Sequence, residues 1–178
     1  EAWVTLVPVN STNRSGNNNF LAVRSGLLEY QAAWKLQEKV HEQVVKGSLP
    51  NVLLLLEHRH VYTLGRRGKA SDIMVGPQEL TARGAKMYFV DRGGEVTYHG
   101  PGQLVGYPIL DLRSRGIGPV QYVRTLEELL ATTLADFGIE AQIGDKPTGV
   151  WVGNAKIAAI GVKVSRGVTT HGFALNVN

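Results

Sequence analysis

The sequence predicts a single domain of the α+β class, in which a mixed or antiparallel sheet is flanked by helices. Two amphipathic helical stretches separate two groups of strand-like segments, without the regular strand and helix alternation of a parallel α/β fold. The 178 residues, of which 43% are hydrophobic and 19% charged, are enough to bury one core. We therefore expect residues 1–178 to form one domain, with a flexible polar loop at residues 10–19.

The individual elements are predicted from apolar spacing and from the residues that start and stop each segment. An apolar stripe at three- and four-residue intervals predicts a helix from about Leu27 to Gly47, and a second helix runs from Pro119 to Gly138. A short helix is predicted over 77–83. Strands are predicted over 52–56, 86–91, 104–112, 139–143, 149–152, 155–164 and 168–177, with a hairpin turn at Gly153 and Asn154.

Composition excludes several classes of function. The chain has no cysteine, which excludes disulfides and thiolate metal sites within it. Its longest apolar run, Val52–Leu56, is too short to cross a bilayer, so no membrane partner is expected. The net charge of +4 is mild, and basic and aromatic residues do not interleave on one strand, so no nucleic-acid partner is expected either.

The most informative segment is Arg92–Gln103. It contains four glycines and one proline, which set unusual backbone angles, and its Arg, Tyr, His and Gln side chains can hold polar ligand groups. Its paired glycines can bring backbone amides close to a bound oxygen. A glycine-rich turn between two strands explains the same pattern equally well.

This segment resembles the signature of the lipoyl(octanoyl) transferases. Three further stretches resemble the same family in the same order: Leu56–Gly68, Gly153–Gly161 and His171–Val177. The resemblance implies the fold of biotin protein ligases and lipoate-protein ligases. It also implies transfer of an octanoyl group from octanoyl-acyl carrier protein to a lysine of lipoyl domains, namely those of 2-oxoacid dehydrogenases and the glycine cleavage H protein. No cofactor or metal is implied, because the donor thioester is already activated.

The resemblance also implies which residues act. Lys156 corresponds to the family's catalytic lysine, which activates a cysteine thiol. Substrate binding is assigned to Arg92, Gly93, Gly94, Glu95, Val96, Thr97, Tyr98 and His99 in the signature, to Ala159, Ile160 and Gly161 on the lysine strand, and to His171, Gly172, Phe173 and Ala174 on the strand that follows.

Lys156 has two interpretations when the residues are taken alone. As a single amine in an apolar strand it would be desolvated, which disfavours its charged form and suits a base. Alone, however, the pattern favours a lysine on the solvent face of a hairpin. Lys163 lies an odd number of positions away, so a regular strand would place it on the opposite face from Lys156. Small residues such as Ala159 and Gly161 would leave room for an eight-carbon chain, although tight sheet packing explains them equally well.

Four histidines, His58, His60, His99 and His171, allow a metal-site interpretation, but a complete ligand pattern is missing and we do not expect a metal. The cations suggest a different partner. They are Arg66, Arg67, Lys69, Arg92, Arg113 and Arg115, which are expected to surround one opening and to suit an acidic carrier protein.

The family's nucleophilic cysteine has no counterpart in this sequence. We expect the chain to be a domain incomplete at its C-terminus, with the cysteine following Asn178, so that activity of the 178 residues alone is doubtful. Two alternatives remain: an ATP-dependent lipoate or biotin ligase, and a cysteine-less relative that binds acyl groups or lipoyl domains without catalysis. The resemblance implies a cytoplasmic location in a bacterium and a mitochondrial or plastid one in a eukaryote.

Overall fold

The computed structural model describes the backbone of residues 4–9 and all of residues 20–178, so the loop predicted at 10–19 lies outside the described residues. A seven-stranded sheet forms the centre, in the order β1-β2-β3-β7-β10-β9-β8. All neighbouring strands in it are antiparallel except β2 and β3. Its strands are β1 (Val4–Val9), β2 (Phe20–Leu28), β3 (Asn51–His58), β7 (Gln103–Ile109), β8 (Val150–Val152), β9 (Ala155–Ser165) and β10 (Val168–Asn176).

A second, three-stranded sheet has the order β5-β4-β6. It consists of β4 (Val61–Leu64), β5 (Lys86–Phe89) and β6 (Val96–His99), with β4 and β5 parallel and β4 and β6 antiparallel. The signature segment follows β5 and forms the loop before β6. It then forms β6 of the small sheet and ends at the first residue of β7 in the large sheet. It therefore joins the two sheets.

Among the described residues there are three α-helices: α1 (Tyr30–Val45), α2 (Pro77–Ala82) and α3 (Pro119–Ala135). Helix α1 packs on one face of the large sheet, where Ala33 and Val44 join a core with Val105 and Ala174. Helix α3 packs on the other face, where Leu130 joins a second core with Ala158 and others. A smaller cluster around Tyr30 attaches the three-stranded sheet to the start of α1.

The α+β class, with a mixed sheet between helices, is confirmed. The first helix starts at Tyr30 rather than Leu27, because Leu27 and Leu28 end a strand that the sequence analysis did not predict. The strand predicted over 139–143 is wrong: only an isolated bridge between Gln142 and Trp151 forms there.

Within residues 4–9 and 20–178, the structure contains no helix with both the length and the apolar character that a bilayer crossing requires.

Candidate active site

The buried side chain of Arg92 holds the signature loop between the two sheets. Its Nη2 donates to the carbonyl oxygen and to Oγ1 of Thr63, both at 2.8 Å, and its Nη1 donates to Gly93 O at 2.9 Å. Burial lowers the pKa of this guanidinium, and no carboxylate pairs with it among the described residues. Among the described residues, the buried cation is therefore stabilised by hydrogen-bond acceptors rather than by a carboxylate.

Two glycines make the position of Arg92 possible. A Cβ on Gly161 would lie 3.0 Å from Arg92 Cδ and 3.0 Å from Gly93 O, and one on Gly65 would lie 2.7 Å from Arg92 Nη1. The loop is also tied to β9, since the Gly93 amide donates to Val162 O at 3.0 Å. These small residues therefore let the loop lie directly on the large sheet.

A narrow cavity lies between the sheets, beside the start of α1, with a volume of about 20 Å³. That is room for about one water molecule. An eight-carbon chain can enter only if part of the lining moves. The cavity is lined by Tyr30, Arg92, Thr97, His99, Tyr107, Ala159, Gly161, His171, Gly172, Phe173 and Ala174.

The structure thus brings together most of the predicted substrate-binding residues, but not all of them. Tyr98 is exposed on the outer face of the small sheet, where it stacks on His60, and Glu95 is exposed in the loop before β6. Ile160 faces α3 on the other side of the large sheet. Gly93, Gly94 and Val96 belong to the loop and strand above the cavity without lining it. Val96, Tyr98 and Ile160 miss the cavity because alternate residues of a strand face opposite sides, whereas Gly93, Gly94 and Glu95 lie in the loop before β6.

His99 is a neutral histidine whose ring orientation is fixed. Gln103 donates through Nε2 to Tyr98 O at 3.2 Å and to Asn176 Oδ1 at 3.0 Å, so its Oε1 is the atom that faces His99 Nδ1 at 2.7 Å. The Nδ1 of His99 must therefore carry the hydrogen. Burial, followed by the nearby His58, lowers the pKa of His99 to about 3.

Several residues of this site were not predicted. His58 is fully buried, its Nδ1 donates to Leu28 O at 3.1 Å, and its Nε2 accepts from Tyr107 Oη at 2.7 Å. Burial lowers the pKa of His58 to about 4. Tyr30 lies against both His58 and His99, with ring centroids 5.1 and 6.2 Å apart. The sequence showed Tyr30 only as part of an apolar stripe, so nothing in its pattern indicated the cavity.

His171 is held at the cavity wall by an acidic partner. Its Nε2 lies 2.9 Å from Asp91 Oδ1, and Lys163 Nζ donates to Asp91 Oδ2. The hydrogen bond from His171, and then the one from Lys163, hold the pKa of Asp91 well below its usual range. His171 also has a left-handed backbone, with φ of 56°. Asp91 and Lys163 were not among the predicted site residues.

Lys156 is exposed, so the expectation of a desolvated lysine is wrong for this structure. Strand β8, at the edge of the sheet, pairs with this part of β9 and leaves the lysine uncovered. Its Nζ lies 4.9 Å from the ring centroid of Trp151, which Lys146 also approaches at 5.3 Å.

The expectation that Lys156 and Lys163 face opposite sides is also wrong. Trp151 pairs with Lys156 and Val150 with Ala158, so β9 carries one extra residue at this point. Such a bulge reverses the alternation of side chains. Ala158 packs in the core under α3, so Lys156 lies on the opposite face, together with Ala159, Gly161 and Lys163.

The predicted ring of cations does not form as expected. Arg92 is buried, and Arg113 is bound by both oxygens of Asp111 at 2.8 and 2.9 Å beside the β9–β10 turn. Arg66 and Arg67 lie elsewhere, with backbone amides bonded to Arg92 O and Gly94 O. The exposed cations next to the signature loop are therefore Arg66, Arg67 and Lys69.

The histidines do not form a metal site. In the part of the chain that the structure describes, no group of three or more His, Cys, Asp or Glu side chains has the geometry to hold a metal ion. His58 is buried whereas His60 is exposed in the next turn, so the two do not share a strand face.

Comparison with known proteins identifies the family. The family model for the lipoyl protein ligase A/B catalytic domain matches residues 29–178. An octanoyltransferase of Solibacter usitatus is 53% identical over 155 residues, which cover 86% of this chain and 70% of that protein. An octanoyltransferase of Gloeobacter violaceus is 49% identical over 159 residues, which cover 89% of this chain and 69% of that protein.

A solved structure confirms the fold. A bipartite lipoate protein ligase from Thermoplasma acidophilum, studied with its E2 lipoyl domain, superimposes with a TM-score of 0.64 at 19% identity. The match covers 85% of this chain and 60% of that one. With the signature loop, the lysine strand and the cavity in place, the chain therefore belongs to the lipoyl protein ligase A/B catalytic domain family and, within it, to the octanoyltransferases, which are acyltransferases of lipoate biosynthesis.

Proposed function

We propose that the protein takes an octanoyl group from the thioester of an acyl carrier protein and passes it to a lipoyl-domain lysine through a cysteinyl thioester. Lys156 is the base. The nucleophile is a cysteine, which the 178 residues lack and which further chain would have to supply. The observation that carries this proposal is the bulge in β9, because it puts Lys156 on the cavity face of the strand.

The geometry supports a division of the site along β9. Ala159 and Gly161 form part of the cavity lining, and Lys156 follows on the same face toward the edge of the sheet. An acyl chain that lay along this face would have its carbonyl end near the lysine and its tail near Arg92. The exposed lysine can reach a thiol and a partner protein that approach this edge of the sheet.

The proposed reaction needs no outside reactant beyond the two substrates. Lys156 accepts the thiol proton, the thiolate attacks the donor carbonyl, and the carrier leaves as a thiol once it takes that proton. The neutral amine of the acceptor lysine then attacks the acyl-enzyme. The bond between the carbonyl carbon and the cysteine sulfur breaks, an amide forms, and the amine proton returns to Lys156 or to the departing thiolate.

A lipoyl-domain acceptor is supported by the Thermoplasma acidophilum lipoate protein ligase, which was studied with its E2 lipoyl domain. The choice among lipoyl domains of 2-oxoacid dehydrogenases and the glycine cleavage H protein, and acyl carrier protein as the donor, remain parts of this proposal. Arg66, Arg67 and Lys69 suit an acidic donor protein.

Lys156 provides the direct test. In protein that includes the nucleophilic cysteine, Lys156→Ala should lower octanoyl transfer about 10³-fold, as expected for loss of a general base. Lys156→Arg should do no better, because arginine does not release its proton. Lys146→Ala is the matched control, since Lys146 also lies over Trp151 but should leave the rate unchanged.

Near-normal transfer by Lys156→Ala would exclude Lys156 as the base. The same protein also distinguishes the ligase alternative. An octanoyl group supplied as a carrier thioester should be transferred without ATP, whereas a ligase would use free octanoate and form an acyl-adenylate. Binding of an acyl carrier without any transfer would instead identify a non-catalytic relative.

A further inference from the structure

The cavity has a floor with almost no side chains. Strands β9 and β10 pair Ala159 with Ala174 and Gly161 with Gly172. All four residues line the cavity, so over these two rungs of the sheet the floor carries only methyl groups and hydrogens. This apolar floor ends at His171 and at Arg92, which lies on Gly161. The far end of the cavity is therefore a polar wall.

His171 reaches that wall through an unusual backbone. Its partner across the sheet is Val162, which faces α3, so a regular strand would turn His171 toward α3 as well. The left-handed φ of 56° turns the imidazole to the cavity face instead, where it lies 6.3 Å from the Trp34 ring of α1. A non-glycine residue adopts this conformation only where its surroundings hold it there.

Three contacts hold His171. Its amide donates to Gln37 Oε1 at 2.8 Å, its Nε2 bonds to Asp91 at 2.9 Å, and its ring packs edge-on to Tyr107. This arrangement has a cost, because the buried Nε2 of Gln37 is left without a hydrogen-bond partner among the described residues. The backbone strain and the unpaired amide both cost free energy, and both accompany the placement of the imidazole at the end of the floor.

We propose that His171, supported by Arg92, is the stop that sets the acyl-chain length of this enzyme. The inference rests on the proposed function, which places the reacting carbonyl at Lys156. The cavity is too small for the chain as it stands, so some of the lining must move when the chain binds. His171 and Arg92 are each fixed by several hydrogen bonds, and the end wall is therefore the part that stays in place.

The dimensions agree with eight carbons. Gly161 lies five positions after Lys156, and the bulge takes up one of these positions, so β9 advances about 13 Å between the two residues. An extended eight-carbon chain is about 9 Å long, since each bond of about 1.5 Å advances roughly 1.3 Å. The remaining length of about 4 Å leaves space for the reacting groups beside Lys156. Two more methylenes would have to press against an imidazole and a guanidinium, which lose their hydrogen bonds if they move.

Binding of chains of different length tests the proposal without turnover. The ligands are amide analogues of acyl-pantetheine, with nitrogen in place of the thioester sulfur and tails of six, eight, ten and twelve carbons. Their affinities are measured by calorimetry on the wild type and on His171→Gly, which removes the ring and suits the left-handed backbone. Arg166→Gly is the matched control, because Arg166 has a φ of 52° in the β9–β10 turn, away from the cavity.

The wild type should bind the eight-carbon tail most tightly. His171→Gly should raise the affinity for the ten-carbon tail relative to the eight-carbon tail about tenfold, the expected gain for burying two methylenes. Arg166→Gly should keep the wild-type order. An eight-carbon optimum that His171→Gly leaves unchanged would overturn the stop and leave the proposed function standing. If no tail binds to the wild type, the proposed function fails and the stop fails with it.

Discussion

The two ends of the cavity face of β9 are built in opposite ways. At the closed end, Arg92 and His171 are buried and each is oriented by hydrogen bonds of 2.8–2.9 Å. At the open end, Lys156 is exposed beside Trp151 on the edge strand pair. The contrast indicates that the side chains of the closed end are ordered before a ligand binds, whereas the open end stays accessible to partner proteins.

Acid should unfold the protein through its buried histidines, and this is the largest effect we expect. His58 and His99 have folded pKa values of about 4 and about 3, below the value of about 6.5 in an unfolded chain. Between pH 6.5 and pH 4 the unfolded chain binds protons that the folded chain refuses, so stability is full above pH 6.5 and falls below it. At pH 5 each histidine should account for about 2 kcal/mol of lost unfolding free energy.

Urea unfolding at pH 7 and pH 5 measures this loss. His99→Asn, whose amide can still donate toward Gln103, should remove about half of it. Equal unfolding free energies at the two pH values would show that burial does not keep His58 and His99 neutral in the folded protein. Asp91, whose pKa is lowered, acts in a separate window, because its contribution is present above its ordinary pKa and is lost only at lower pH.

The second prediction concerns one of the acceptors that bind the buried Arg92. Thr63→Val keeps the shape of the side chain but takes away the Oγ1 that accepts from Arg92 Nη2 at 2.8 Å. We expect a loss of about 2 kcal/mol in unfolding free energy, as for a hydrogen bond to a buried charge. Thr125→Val is the control, because Thr125 bonds to Gln121 O on an exposed face of α3. Equal losses in the two variants would mean that the buried hydrogen bond to Arg92 contributes no more to stability than an exposed one.

Sequence reasoning recovered the parts of the molecule that local patterns determine. Pro119 and the spacing of the apolar residues after it predicted α3, and the signature predicted a loop at the site. The face of Lys156 could not be predicted, because it depends on an extra residue that appears only when β8 pairs with β9. The same holds for His171, whose conformation depends on Gln37, 134 positions away. Tertiary contacts, rather than periodicity, decide which side chains meet in the cavity.

The third prediction concerns docking outside the closed end. Replacing Arg66 and Arg67 by Glu should raise the KM for an acidic carrier protein about tenfold at low salt and weaken its salt dependence. Turnover of a small octanoyl thioester should not change, because that substrate has no acidic surface to attract. Arg124→Glu on α3, across the large sheet, is the control and should leave both values unchanged. An unaltered salt dependence in the double variant would exclude this surface as the docking site.

The smallest effect should come from the open end. Trp151→Leu removes the ring that Lys146 and Lys156 approach at 5.3 and 4.9 Å, and exposed cation–π contacts contribute only about 0.5–1 kcal/mol each. Stability should therefore fall by less than in Thr63→Val. If the ring merely holds Lys156 away from the cavity, transfer should be retained or faster in Trp151→Leu. A large loss of stability would show that Trp151 contributes as much to stability at the sheet edge as the buried hydrogen bonds do at the closed end. A large loss of transfer at normal stability would mean instead that the ring positions the lysine for reaction.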